Sequence, residues 1–385
     1  MPLHFPRDEY TARQAAARAA LAQADTHGLL MFRQESMYYL SGYDTFGYVH
    51  FQCLYMGVEG TMTLLTREPD RRQAAYTSVI EDVRVWVDEE GADPYRQVRE
   101  ILVEHGARGK KLGIELEAYG LTAAKGMALL EALQGFCELE DASLLVSRLR
   151  LIKSPAELAY ARRAAELTDT ALAEAQRLAA PGAFEGDILA AMQSAIFRGG
   201  GDDPANEFII GSGPGALMCR YFSGRRHLSE RDQLTLEFAA GYRHYHACLM
   251  RTLPIGEAHP VHRKMHEAAV ESLLAAREAL RPGRPIGEVF DAHARVLDGA
   301  GLRAHRMNAC GYSLGATFAP NWMDWPMFYH GNPLEAAPGM VFFIHIIVFD
   351  SEHELAMTTG QTVEVTLSGC ESLSRAPPDL FVAEG

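Results

Sequence analysis

Glu237 stands in an otherwise apolar run, LTLEFAA (234–240), and GYRHYHACLMRT follows it, with Tyr245, His246 and Cys248 close behind. A buried carboxylate needs a reason. Once its surroundings tune it, such an acid serves as nucleophile or general base. If this stretch is extended, Tyr245 and His246 point to opposite faces, so at most one of them reaches a given site directly. His246 shares the parity of Cys248, and Tyr245 that of Arg243. Cys248 sits among Ala, Leu and Met and reads as a small hydrophobe, or as a nucleophile if a base lowers its pKa. Tyr312, in the glycine-rich CGYSLG, can donate a hydrogen bond to a developing oxyanion or simply pack. His345 interrupts the apolar FFIHIIVF, where a histidine is costly without a partner.

Other candidates are suited to binding. Arg220, in MCRYFSG, cannot act as a base near neutral pH but can grip a carboxylate with two parallel hydrogen bonds. His227 and His345 are then the candidate bases. NWMDWPMFY (321–329) gathers Trp322, Asp324, Trp325, Phe328 and Tyr329. That content suits a small cationic or zwitterionic ligand through cation–π contact, or a packed loop or dimer lid. RGGGDDP (198–204) lacks the Lys-Ser/Thr of a phosphate loop and reads as a turn.

These residues need a frame. The chain has 385 residues, 48% hydrophobic and 22% charged, which is a globular, core-forming composition. A net charge of -14 without a basic tract argues against nucleic-acid binding. The six scattered cysteines form no CxxC pair and read as free thiols of a reducing compartment. The polar N-terminus has no export-type apolar segment and no apolar run reaches membrane-spanning length, so a cytoplasmic protein is expected. Strand and helix patterns alternate over the first 150 residues and predict a smaller α/β domain, with CLYMGVEGTMTLLT (53–66) as a hairpin. In KSPAE, Ser154 is placed to cap a helix, with Pro155 in its first turn and Glu157 completing a capping box. The domain boundary falls just before it, giving domains 1–150 and 151–385. The second is expected to be α+β, with helices covering one antiparallel sheet.

The order of these segments resembles the pita-bread superfamily of creatinase, prolidase and methionine aminopeptidase, over nearly the whole chain. IKSPAELAYARRAAELTD is similar to the family's inter-domain helix start, GYRHYHACLMRTLPIG to its paired strands ending in Arg-Thr, and GMVFFIH and VEVTLSGCESLS to its closing strands. Its peptidases hold two metal ions through two aspartates, a histidine and two glutamates. The resemblance puts Glu237 and Cys248 at the aspartates, Tyr312 at the histidine, His345 at the first glutamate, and Gly360 or Gln361 at the second. One carboxylate, a thiol, a phenol and an imidazole cannot hold a bridged pair, so no metal and no other cofactor is expected. A single zinc on Cys248, His345 and Glu237 is the chemical alternative.

Two metal-free branches of the superfamily exist, those of creatinase and ectoine hydrolase. LEFAAGYRHYHACLMRT, GYSLGATFAPNWMDW and SGYDTFGYVHFQCL more closely resemble the ectoine hydrolase branch. That resemblance implies a metal-independent hydrolase of a small zwitterion or cyclic amidine. Glu237 would add to the amidine carbon or activate water against it, and Tyr312 would stabilise the developing charge. His246 and His345 join them as catalytic candidates. Arg220, Tyr245, Cys248, Trp322, Asp324 and Gln361 are substrate-binding candidates, as is Tyr43, which with Asp44 and Phe46 could close a neighbour's site in a homodimer. Arg220 replaces a family histidine that shuttles protons or binds substrate. The rivals are a creatinase-like hydrolase of another amide or guanidino compound, a non-catalytic binder, and a peptidase or lyase with one remodelled metal.

Overall fold

The computed structural model describes residues 3–220 and 224–384. It divides into two compact units, Met1–Arg150 and Leu151–Gly385. The first carries a six-stranded sheet in the order β4-β3-β2-β1-β5-β6. Its strands are β1 (Gly28–Met31), β2 (Cys53–Gly57), β3 (Thr63–Arg67), β4 (Asp82–Trp86), β5 (Lys111–Ile114) and β6 (Glu138–Asp141). β2 and β3 form the expected antiparallel hairpin, whereas β5 pairs in parallel with β1 and β6. Apolar clusters on both faces make this unit's own core. Tyr43 lies in it with no exposure, its hydroxyl bonded to Gln52 and Thr66. A side chain sealed in this way presents nothing to a ligand, which corrects its assignment to substrate binding. Phe46, three residues on, is 80% exposed.

The second unit is built on one antiparallel sheet in the order β11-β10-β12-β13-β9-β8-β7, with β14 added to β13. These strands are β7 (Ile209–Ser212), β8 (Asp232–Tyr242), β9 (Tyr245–Ile255), β10 (Gly311–Ser313), β11 (Asp324–Met327), β12 (Val341–Asp350), β13 (Leu355–Val365) and β14 (Cys370–Ser372). Helix Pro155–Leu178 opens as its sequence dictates, with Ser154 and Glu157 forming the capping box. With helix Glu185–Arg198 it covers Leu234, Leu236, Phe238 and Leu249 on one half of the sheet. Helices Pro260–Ala279 and Gly287–Gly299 cover Phe342, Ile344 and Ile346 on the other half. The helices thus take one face, and the opposite face is left for the site.

Two local devices hold that face in register. β8 and β9 join through Arg243 and His244, both at positive φ, a conformation non-glycine residues rarely adopt. Their side chains offset the strain: Arg243 bonds the Tyr160 hydroxyl at 2.5 Å, and His244 stacks on Phe318. Further along β9, buried Arg251 donates to the carbonyls of Met250, Gly360, Ala376 and Pro377. It ties β9 to β13 and to the chain's last segment.

Candidate active site

Directly opposite residues of an antiparallel sheet share a face, so the register names the site. Glu237 pairs with Met250, Met250 with Gly360, and Gly360 with His345. Two residues along, Ala239 pairs with Cys248, Thr362 with Phe343, and Phe343 with Tyr312. Thr362 closes this row by exchanging hydrogen bonds with the Cys248 backbone. Both rows lie on the face away from the four helices. Cys248, Met250, Tyr312, Trp322 and Phe343 pack there as one cluster, with Cys219 against it.

Glu237 is the chemical centre of this face. It is 6% exposed, and burial pushes its carboxyl up to about 7, against the pull of the Arg220 guanidinium and a hydrogen bond from Tyr312. The Tyr312 hydroxyl donates to Glu237 Oε1 at 3.3 Å and accepts from Trp322 Nε1 at 2.8 Å. Burial and the adjacent Glu237 push the Tyr312 phenol well up, so it stays a donor. Gly311 makes this placement possible. Its φ is +152°, and a Cβ there would stand 2.2 Å from the Phe343 carbonyl oxygen.

His246 supports this chain from behind. Its Nε2 accepts from the Ala205 backbone N–H at 2.9 Å, so its proton sits on Nδ1, 3.1 Å from Thr317 Oγ1. Thr317 in turn donates to the Trp322 carbonyl. Burial, with the nearby His244, lowers the His246 pKa to about 3. A neutral ring with both nitrogens engaged cannot take a proton from substrate, so His246 orients Trp322 instead. Asn206 does the same, accepting from the Trp322 N–H. Neither Thr317 nor Asn206 was marked by the sequence, because a lone polar residue in a loop carries no periodic signal.

His345 shares the face, its ring 5.6 Å from that of Tyr312. Burial, His293 and Arg220 lower its pKa to about 3, and its buried Nδ1 has no partner among the described residues. Burial and Glu237 push the Cys248 thiol well up, which makes it a wall rather than a nucleophile. Arg220 is exposed, and it follows Cys219, which packs on the cluster.

Several candidates fall elsewhere. Tyr245 faces the other way and donates to Glu157 Oε1 at 2.7 Å, locking β9 to the capping box. Gln361 pairs with Leu249 and Ile344 on the helix-facing side, where it contacts Arg277 and the Ala376 carbonyl. The residue on the site face is Gly360. Asp324 pairs with Ser313, and its Oδ2 lies 3.3 Å from where a Gly315 Cβ would stand. Of the aromatic loop, Trp322 alone joins the cluster, while Phe328 enters the helix-side core with Trp325 against it and Tyr329 stays exposed. No cation cage forms from them. His227 is exposed, with Nδ1 beside the Gly182 carbonyl.

An antiparallel sheet with helices on one face and polar groups on the other, preceded by a separate α/β unit, defines a pita-bread hydrolase. The chain belongs to metallopeptidase family M24, matched over residues 159–367, with a creatinase/prolidase N-terminal domain at residues 13–152. It is 26% identical to an uncharacterized hydrolase/peptidase, y4tM, of Sinorhizobium fredii, over 99% of each chain. It is 25% identical to the ectoine hydrolase of Halomonas elongata, over 99% of this chain and 98% of the other. The crystal structure of dipeptidase PepE from Mycobacterium ulcerans superposes with a TM-score of 0.86 at 26% identity, covering 99% of this chain and 100% of that one.

The family implies metal, and the donor set here does not fit it. Gly360 supplies no ligand, and the Phe343 ring lies 2.8 Å from where its Cβ would stand. Cys248 offers a thiol and Tyr312 a phenol, neither of which can bridge two ions as a carboxylate does. Among the described residues no group of three or more His, Cys, Asp and Glu side chains is placed to hold an ion.

Proposed function

We propose that the chain hydrolyses a non-peptide C–N bond in a small zwitterionic or cyclic amidine substrate, opening the ring of ectoine or a close relative without a metal. On the family's pattern it would act as a cytoplasmic homodimer. One observation carries the reading. Where the resemblance places metal ligands, this chain builds a buried, hydrogen-bonded Glu237–Tyr312–Trp322 chain with its carboxyl near 7.

A carboxyl with that pKa takes and returns a proton near neutral pH. Ionised Glu237 removes a proton from water as the water oxygen bonds to the amidine carbon. The same carboxyl then gives the proton to the ring nitrogen; the C–N bond breaks as the added hydroxyl becomes the amide carbonyl, and the hydroxyl proton passes to the released amine. Tyr312, fixed by Trp322, donates to the charge on Glu237 in the resting state. Arg220 offers the cation for a substrate carboxylate. His345, neutral, presents a hydrogen-bonding ring at the wall, and Cys248 and Met250 give that wall its shape.

The likeness to the dipeptidase PepE favours the rival, a peptidase with one remodelled metal. Proton NMR of ectoine with dialysed, chelator-treated protein decides between them. Conversion to a ring-opened acetyl-diaminobutyrate is expected. An unchanged spectrum, together with dipeptide cleavage that appears only on adding Mn²⁺, Co²⁺ or Zn²⁺, would sink the proposal.

A further inference from the structure

The helix that follows β9 begins beside a cleft of about 330 Å³ in the second unit. Four segments wall it: the 3-10 turn Gly213–Leu217, the start of β8, the connection from β9 into helix Pro260–Ala279, and the turn between β12 and β13. Gln233, 5% exposed, ties all four together. Its Nε2 donates to the Gly213 and Glu354 carbonyls at 3.1 and 2.7 Å. Its Oε1 accepts from Ala356 N at 2.8 Å and lies 2.9 Å from His262 Nε2. Two carbonyls at one end of the amide and a backbone N–H at the other fix which end is oxygen. His262 Nε2 therefore carries the ring proton, and Nδ1 is left as an acceptor. Burial, with His259 close by, lowers the His262 pKa to about 4, so the ring is neutral at pH 7. His262 lines the cleft and is 3% exposed, and its Nδ1 has no partner among the described residues. A buried acceptor is costly unless something donates to it.

The rest of the cleft says what that donor belongs to. Most of its charged groups are already paired: Arg231 with Glu257 at 2.7 Å, Asp232 with Arg226, and His353 with Asp350. Helix Pro260–Ala279 turns its positive end towards the cleft at His259, which disfavours a cation. The exposed carboxylate of Glu354 disfavours an anion. Pro214, Ala258, Pro260 and Leu355 give the walls an apolar surface. We propose that this cleft is a binding site for a small uncharged molecule that carries an N–H or O–H donor on a compact apolar body. The donor meets His262 Nδ1, and the body lies against the two prolines and Leu355. Gln233 precedes Glu237 by four residues on β8, roughly 13 Å at about 3.3 Å per residue. The site is thus separate from the candidate active site, and it stands whether or not ectoine is the substrate.

Indole and benzofuran are the probes, because they share a shape and differ only in a ring N–H against a ring oxygen. The full chain, carrying 15N-labelled histidine, is titrated with each and followed by NMR, with the affinities measured by calorimetry. The His262 Nδ1 signal is assigned by its loss in His262→Phe or, independently, in His262→Gln. Indole is expected to move that signal saturably as Nδ1 accepts its N–H. Benzofuran is expected to bind roughly tenfold more weakly, because it leaves the buried acceptor unmet, and to leave the signal where it was. In His262→Phe, which keeps the ring's bulk without its acceptor, indole should fall to the affinity of benzofuran. Crystals of the unaltered chain soaked with indole need no variant, and should show the ring in the cleft with its nitrogen at hydrogen-bond distance from Nδ1. Two results overturn the proposal: indole absent from the cleft with the Nδ1 signal unmoved, or benzofuran binding there as tightly as indole.

Discussion

Glu237 owes its chemistry to two opposed effects. Burial favours the neutral acid, while Arg220 and the Tyr312 hydroxyl favour the anion, and the balance falls at about 7. If the ionised form is the base, kcat/KM rises with pH through about 7 and levels off above it. A pH–rate profile checks this, and a profile that falls over that range would contradict it. Glu237→Gln should cost ~10²–10⁴-fold in kcat/KM, the range for losing a positioned general base. Tyr312→Phe should cost ~10²-fold and move the rising limb upward, since it removes a bond that favours the anion. Stability carries the same signature with a definite sign. The folded pKa lies above the ordinary 4.5, so the neutral acid's contribution is complete below about 4.5 and is lost as pH rises through about 7. At about 1.36 kcal/mol per unit, the charge of Glu237 costs about 3 kcal/mol above pH 8. Denaturant melts of Glu237→Gln should therefore show a gain over the unaltered protein at pH 8 that vanishes near pH 4. An equal difference at both pH values would mean that Glu237 is not buried as a lone acid.

Sheet register decides which residues this acid meets, and there the sequence was only partly readable. Ser154, Pro155 and Glu157 announced their helix because capping is local. Glu237 announced itself as a lone acid in an apolar strand. Gln361 misled because a one-residue choice of register moves a side chain to the other face, and only pairing with β9 and β12 settles it. The β8–β9 turn lacks the Asn-Gly or Gly that marks a two-residue hairpin, since Tyr160 and Phe318, far away in sequence, hold its strained residues. The Tyr312–Trp322 bond was hidden for the same reason: it joins a strand to a loop. Gly311 is the element-scale residue on which that bond depends. Gly311→Ala would force β10 away from Phe343 and cost roughly 1–3 kcal/mol from strain and overpacking. Chemical denaturation should show that loss, together with a fall in activity at a temperature where the variant is still folded. An unchanged melt would mean that β10 shifts freely and that Tyr312 is not fixed by its strand.

At the scale of the whole molecule the chain keeps the M24 frame, and the proposed reading differs from the family's in what that frame holds. The helix-covered face still buries apolar side chains along its length, and the strand ends are still tied by Arg251. On its open face the Phe343 ring lies beside Gly360, and Trp322 donates a hydrogen bond to Tyr312. A frame of this kind does not need an ion to bring its strands together, because their register is set by the hydrogen-bond ladder and the two apolar layers. The difference is thermodynamic and therefore measurable. An ion that binds the folded chain stabilises it by RT ln(1 + [L]/Kd), about 2.7 kcal/mol at a hundred times Kd. A family member with its metal site intact must show that gain when ions are added after chelation. The full chain here should melt at the same temperature with and without Mn²⁺, Co²⁺ or Zn²⁺, because one carboxylate, one imidazole, a thiol, a phenol and a glycine do not supply the bridging carboxylates that a metal pair needs. A rise in melting temperature that saturates with ion concentration, and disappears in Glu237→Gln, would show that the face still recruits a metal through Glu237 and would overturn the metal-free reading of the site.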